Sequence, residues 1–333
     1  MDINQWIEDI IRSPKRYTIP IMTHPGIEMI GCTVKEAVQN GEIHARAIKA
    51  LAEAFPSKAS TVIMDLTVEA EAFGCTIEFP ENDMPHIPGR LVSAETIEKL
   101  EIPSLSAGRV PEYLNAARIT NETITGKPVF AGVIGPFSLA GRLFDMSEIM
   151  VACYLEPDAI ALLLEKCTQF IQMYCAGLKQ TGCAGIIIAE PAAGLLSDED
   201  CLQFSSAYIK RIVDATQDDQ FMITLHNCGN AGQCTGAMLH TGAKAYHFGN
   251  SIDMVKALEQ CPDHVLVMGN IDPVGILQMK SPQEVKTETG LLLERTAEFP
   301  NFVLSTGCDV PPHVPHENIR AYYAALEEYN NRQ

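Results

Sequence analysis

A chain of 333 residues can hold two ordinary domains or one α/β barrel, and 47% hydrophobic with 20% charged residues excludes an intrinsically disordered chain. The formal net charge of −18, with no long cluster of Lys and Arg, argues against nucleic acid as a partner, because phosphate-backbone affinity rests on such clusters. Asp2, Glu8 and Asp9 stand where a signal peptide needs basic and then apolar residues, and no apolar run approaches the roughly 18 residues of a membrane span. A cytoplasmic protein without a membrane segment is expected, so its 11 cysteines should be reduced and available as ligands.

Eight short, β-rich apolar runs follow one another: Thr18–Met22, Thr61–Met64, Val129–Val133, Gly185–Ala189, Phe221–Leu225, Ala243–Phe248, Val265–Met268 and Phe302–Ser305. Near-continuous apolar strands such as IIIA and VLVM suit a parallel sheet buried on both faces. Apolar residues at helical spacing fill intervals at Val34–Ala54, Ser147–Gln180, Asp198–Ala215, Pro282–Glu298 and His316–Tyr329, with Glu156-Pro157 dividing the second into two helices. Strand and helix alternating about eight times predicts an α/β fold, a single (β/α)8 TIM-barrel domain over 1–333, with a doubly wound open sheet as the alternative. The N-terminal region and the long stretch after the second run, residues 65–127 with its PENDMPHIPG segment, read as elaborations, the latter over the barrel mouth.

In a parallel barrel, chemistry collects where strands end. His24 follows the first run, Asp65 the second, Gly135-Pro136 the third and Glu190-Pro191 the fourth. His226-Asn227-Cys228 follows the fifth, Asn270 and Asp272 the seventh, and Gly307-Cys308-Asp309 the eighth. His226-x-Cys228 and Cys308 are far apart in the chain, but loops five and eight of one barrel can reach a common point above its axis. Two thiolates and an imidazole form a borderline-soft set that suits Zn²⁺, and three protein ligands leave a fourth position open, as catalytic sites do. Coordination deprotonates a thiol that otherwise titrates near about 8.5 while leaving its sulfur nucleophilic. Against this stands the plainer reading that His-x-Cys is a short pattern and buried cysteine is often only a small core residue.

His226-x-Cys228 with the distant Gly-Cys308 resembles the zinc motif of the methylcobamide:coenzyme M methyltransferases of the uroporphyrinogen decarboxylase superfamily. PIMTHPGIEMIG (20–31), DLTVEAEAFG (65–74), GPFSLAG (135–141) and GNIDPVGIL (269–277) are similar as well, so the likeness covers nearly the whole chain. The resemblance implies transfer of a methyl group from methyl-Co(III) on a partner corrinoid protein to a small thiol, coenzyme M foremost, on Zn²⁺ held by His226, Cys228 and Cys308. It places the protein in one-carbon metabolism of the kind found in methanogenesis. Decarboxylases of the superfamily carry an Arg-containing N-terminal segment facing the carboxylates of uroporphyrinogen, whereas residues 20–31 here contain neither Arg nor Lys. A non-catalytic zinc barrel is the rival from another class.

Other candidates each carry two readings. Glu190 serves as an exchangeable fourth ligand or substrate contact, or else orients loop backbone. Asp272 hydrogen-bonds a ligating histidine or caps the next helix. Asp65 orients a ligand or is one of several loop carboxylates, with Glu69 and Glu71, near a helix N-terminus. His24 lines the pocket or merely makes a turn before Pro25. Arg142 is a candidate donor to the sulfonate of coenzyme M, with Arg90 and backbone amides as alternatives. His240, His247 and Cys234 are expected to be structural, as are Cys167, Cys175 and Cys183 in or beside a helix.

Overall fold

The computed structural model describes residues 1–332. Seven parallel strands form one sheet in strict chain order: β1 (Ser60–Thr61), β2 (Val129–Ile134), β3 (Gly185–Ala189), β4 (Met222–Asn227), β5 (Ala245–Phe248), β6 (Leu266–Ile271) and β7 (Phe302–Thr306). The first expected strand is not a ladder strand, because Pro20 at its centre lacks an N–H. Its extended segment still joins the sheet's two ends. Ile19 N donates to Leu304 O at 3.0 Å, Leu304 N to Tyr17 O at 3.0 Å, and Lys58 N, just ahead of β1, to Thr18 O at 2.9 Å. This is the (β/α)8 TIM-barrel arrangement with its first strand reduced to a bridge.

Period-2 alternation divides the strands between two cores. In β3, Ile186 and Ile188 face the surrounding helices, while Ile187 belongs to the interior cluster with Ile19, Ile21, Phe130, Met222, Ala245, Leu266, Met268 and Val303. The N-terminal elaboration is a helix, Ile3–Arg12, whose Ile3, Trp6, Ile7 and Ile10 join that interior cluster. Trp6 meets Phe130 edge-to-face at 5.8 Å, and Ile3 N donates to Asp219 O ahead of β4. The helix thus closes the end of the barrel where strands begin.

The expected break at Glu156-Pro157 separates helices Met146–Leu155 and Pro157–Gln180. The stretch expected as one helix over Val34–Ala54 is two, Val34–Gln39 and Gly41–Ala54. Asn40 leaves helical geometry and its side chain accepts from the amides of Glu42 and Ile43, a cap that apolar spacing does not reveal. Among the described residues no helix is long and apolar enough to cross a membrane.

Candidate metal centre

The alternation that fills the barrel also aims the site. On β4, Met222 faces inward, so Thr224 and His226 share its face; on β5 the same parity joins His247 to Ala245, and on β7 Ser305 to Val303. His226, His247 and Ser305 therefore form a polar layer where the strands end, above an apolar plug. His226 pairs with His247 across the β4–β5 ladder. Cys228 lies one residue beyond β4 and Cys308 two beyond β7, and their sulfurs lie with a ring nitrogen of His226 within 4.8 Å of one another. Close loop approach makes this possible. A Cβ on Gly249 would stand 2.5 Å from Cys228 O, and one on Gly307 2.7 Å from Asn250 N.

The three donors are arranged as a ligand set is. His226 is 2% exposed, and its Nε2 is buried with no hydrogen-bond partner, a costly state unless something binds there. Its Nδ1 is occupied, 2.8 Å from His247 Nδ1 and 3.3 Å from His247 O. The two sulfurs lie close enough to shift each other's titration in opposite directions. The hydrogen bond from Cys308 brings Cys228 down to about 7 against the opposing effect of burial, and the same bond, with burial, pushes Cys308 well up.

The other expected residues sort by whether their polar atoms are free. Glu190, 1% exposed, accepts from Phe137 N at 2.8 Å and Ser205 Oγ at 3.0 Å on Oε1 and from Ser138 N at 2.9 Å on Oε2. It therefore holds the N-terminus of helix Pro136–Phe144 rather than standing in the ligand group. Asp272 caps its own turn through Val274 N and Gly275 N, and His226 turns to His247 instead. Asp65 gives Oδ1 to Thr67 and Oδ2 to Arg109 Nη1 at 2.5 Å and Tyr113 Oη at 3.2 Å. Its position at the mouth is thus spent on anchoring Arg109. Arg90 is paired with Glu148 at the surface.

His24 is buried, with Nδ1 3.0 Å from Val310 O and 3.7 Å from Asp309 Oδ2, and its Nε2 is unpartnered. Arg142, half-buried at the end of helix Pro136–Phe144, has no hydrogen bond or ion pair among the described residues. Burial lowers its pKa, and Asp65, Glu69 and Cys75 counteract that. Cys234 hydrogen-bonds the carbonyls of Ala193 and Leu196, and Cys167, Cys175 and Cys183 are core residues.

Sequence reasoning missed three groups. His247, expected to be structural, stands at an inward position of a buried strand level with His226, which is the signal available for it. Arg109 left none, since only the fold brings it from the long insertion to Asp65. Glu69, 1% exposed, accepts from Ile134 N at 3.0 Å through Oε1 and has no partner on Oε2. Burial raises it to about 7.

A parallel barrel that gathers a His–Cys–Cys cluster, able to hold a metal ion, at the C-terminal ends of its strands defines a protein whose candidate site lies on that rim. Residues 16–329 match the model of the uroporphyrinogen decarboxylase (URO-D) family, and the chain belongs to that family. It is 31% identical over 309 residues to the methylcobamide:CoM methyltransferase MtbA of Methanosarcina acetivorans, covering 86% of each chain. It is 25% identical over 287 residues to the uroporphyrinogen decarboxylase of an Enterobacter species, covering 83% of this chain and 80% of that one. In fold it is similar to a methyltransferase from Methanosarcina mazei, with a TM-score of 0.89, 23% identity and 99% coverage of both chains.

Proposed function

We propose that the protein is a methyltransferase that moves a methyl group from a methyl-Co(III) corrinoid, carried by a partner protein, to a small thiol activated on Zn²⁺ held by His226, Cys228 and Cys308. The observation that carries this reading is the convergence of those three donors at the strand ends in a chain similar to methylcobamide:CoM methyltransferases. The donor set fits zinc, because Nε2 of His226 is buried without a partner and the thiol of Cys228 is brought down to about 7. Zn²⁺ in such a site supplies a Lewis acid that holds a substrate thiol as thiolate near neutral pH.

The remaining work falls to the chain. His226 is held in β4 by its pairing with β5, and Gly249 and Gly307 let the two cysteine loops close on it. Glu190 fixes the helix that carries Arg142. The unpaired Arg142 guanidinium is the side chain suited to the anionic end of an acceptor such as coenzyme M. Methyl transfer is a direct displacement. The thiol loses its proton to solvent, a sulfur–carbon bond forms as the cobalt–carbon bond breaks, and the electron pair of that bond stays on cobalt, which leaves as Co(I). Holding acceptor and methyl carbon in line contributes much of the rate.

Purified protein with zinc, methylcobalamin and a panel of thiols including coenzyme M should convert methylcobalamin, followed by its visible spectrum. Cys308→Ala should lose both zinc and activity. No demethylation with any thiol in zinc-replete protein refutes the proposal.

A further inference from the structure

The polar layer beneath the candidate ligands holds a chain of hydrogen bonds whose direction can be worked out atom by atom. His226 Nδ1 lies 2.8 Å from His247 Nδ1 and 3.3 Å from His247 O. At the far side of the ring, His247 Nε2 lies 2.8 Å from Ser305 Oγ, and Ser305 Oγ donates to Ile19 O at 2.7 Å. Both ends of this chain are backbone carbonyls, which only accept.

The single Ser305 hydroxyl proton is committed to Ile19 O, so His247 Nε2 carries a hydrogen and donates to Ser305. His247 is wholly buried, and its ring nitrogens meet only His226 and Ser305, so a charged ring there would have no carboxylate to balance it and the ring is neutral. Its Nδ1 is therefore an acceptor, and the hydrogen between the two rings belongs to His226 Nδ1, where it also points toward the His247 carbonyl. The reverse arrangement sets the lone pair of Ser305 Oγ against Ile19 O and that of His226 Nδ1 against His247 O, two buried repulsions at once. His226 is left with its lone pair on Nε2, the atom that has no partner.

We infer that His247 and Ser305 are positioning residues that hold His226 as the Nδ1–H tautomer, presenting a preformed Nε2 donor to the metal beside Cys228 and Cys308. The inference rests on the zinc-site reading for its consequence, but the tautomer itself is a property of the metal-free protein. It also accounts for a histidine buried between two strands, where an aliphatic residue of similar size would serve packing alone. Outer partners of metal-bound histidines commonly matter by 10–100-fold in affinity, and here an imidazole takes the place that a carboxylate or carbonyl often fills.

The test combines two measurements on the full chain. Long-range ¹H–¹⁵N spectra of histidine-labelled, metal-free protein read the tautomer, and competition with a chromogenic chelator reads the zinc Kd. His226 should show a protonated Nδ1 and an unprotonated Nε2. His247→Leu should weaken zinc binding by about 10–100-fold. His247→Asn, whose Oδ1 replaces the acceptor at Nδ1, should restore affinity to within about threefold of the parent. Ser305→Ala, which packs without a large cavity, should shift the His247 ring signals and weaken zinc binding less than His247→Leu does. A protonated Nε2 on His226 overturns the inference, as does a His247→Leu protein with unchanged zinc Kd or an Asn variant as weak as Leu. If the parent binds no zinc, the zinc-site reading fails, and the tautomer spectra alone decide this inference.

Discussion

The opposed pKa shifts of Cys228 and Cys308 make metal loading depend on pH in a way that can be worked out beforehand. Metal binding needs both sulfurs as thiolates, so zinc competes with whatever protons they hold. With Cys228 at about 7 and Cys308 well above its ordinary range, the metal-free pair carries one proton at pH 8 and approaches two as the pH falls below about 7. Zinc binding should therefore release about one proton at pH 8 and nearer two below about pH 7. The apparent affinity should fall about tenfold, or roughly 1.4 kcal/mol, per pH unit between about 9 and 7.5, and more steeply below about 7. Calorimetric titration in buffers of different ionisation enthalpy counts the protons directly, and chelator competition gives the slope. Release of two protons at pH 8 would show that the thiols do not share a hydrogen bond, and release of none would remove both from the ligand set.

Glu190→Gln should destabilise the protein by about 2–3 kcal/mol in urea unfolding, because an amide NH₂ must face one of the two amides that Glu190 now accepts from, while zinc affinity stays within about twofold. Asp65→Asn should cost about 3 kcal/mol in the same assay, since it strips one of two carboxylates from the buried Arg109 guanidinium. Arg142→Met should raise KM for an anionic thiol at least tenfold and leave KM for an uncharged thiol unchanged, as expected for loss of a charge-assisted contact worth about 1.5–3 kcal/mol; equal effects on both thiols would remove Arg142 from substrate binding.

The α/β barrel could be read from eight apolar runs because strands buried on both faces leave an unbroken apolar signature that survives without tertiary information. His226, Cys228 and Cys308 could be read as well, since each follows such a run and strand ends in a barrel share one rim. The helix break at Glu156-Pro157 was local, imposed by the proline itself. What hydrogen bonding decides was not legible. Pro20 reduced the first strand to a bridge, Asn40 split a helix, and the oxygens of Glu190, Asp65 and Asp272 were consumed by amides and guanidinium groups that only the folded chain delivers. His247 shows the difference most sharply. Its residue type and strand were visible in the sequence, but its meaning depended on register, which sets it level with His226, and on two carbonyls, its own and that of the distant Ile19, that orient the hydrogen bonds. Sequence determines which side chains reach the rim; packing and the obligatory pairing of buried polar atoms decide which of them remain free to bind.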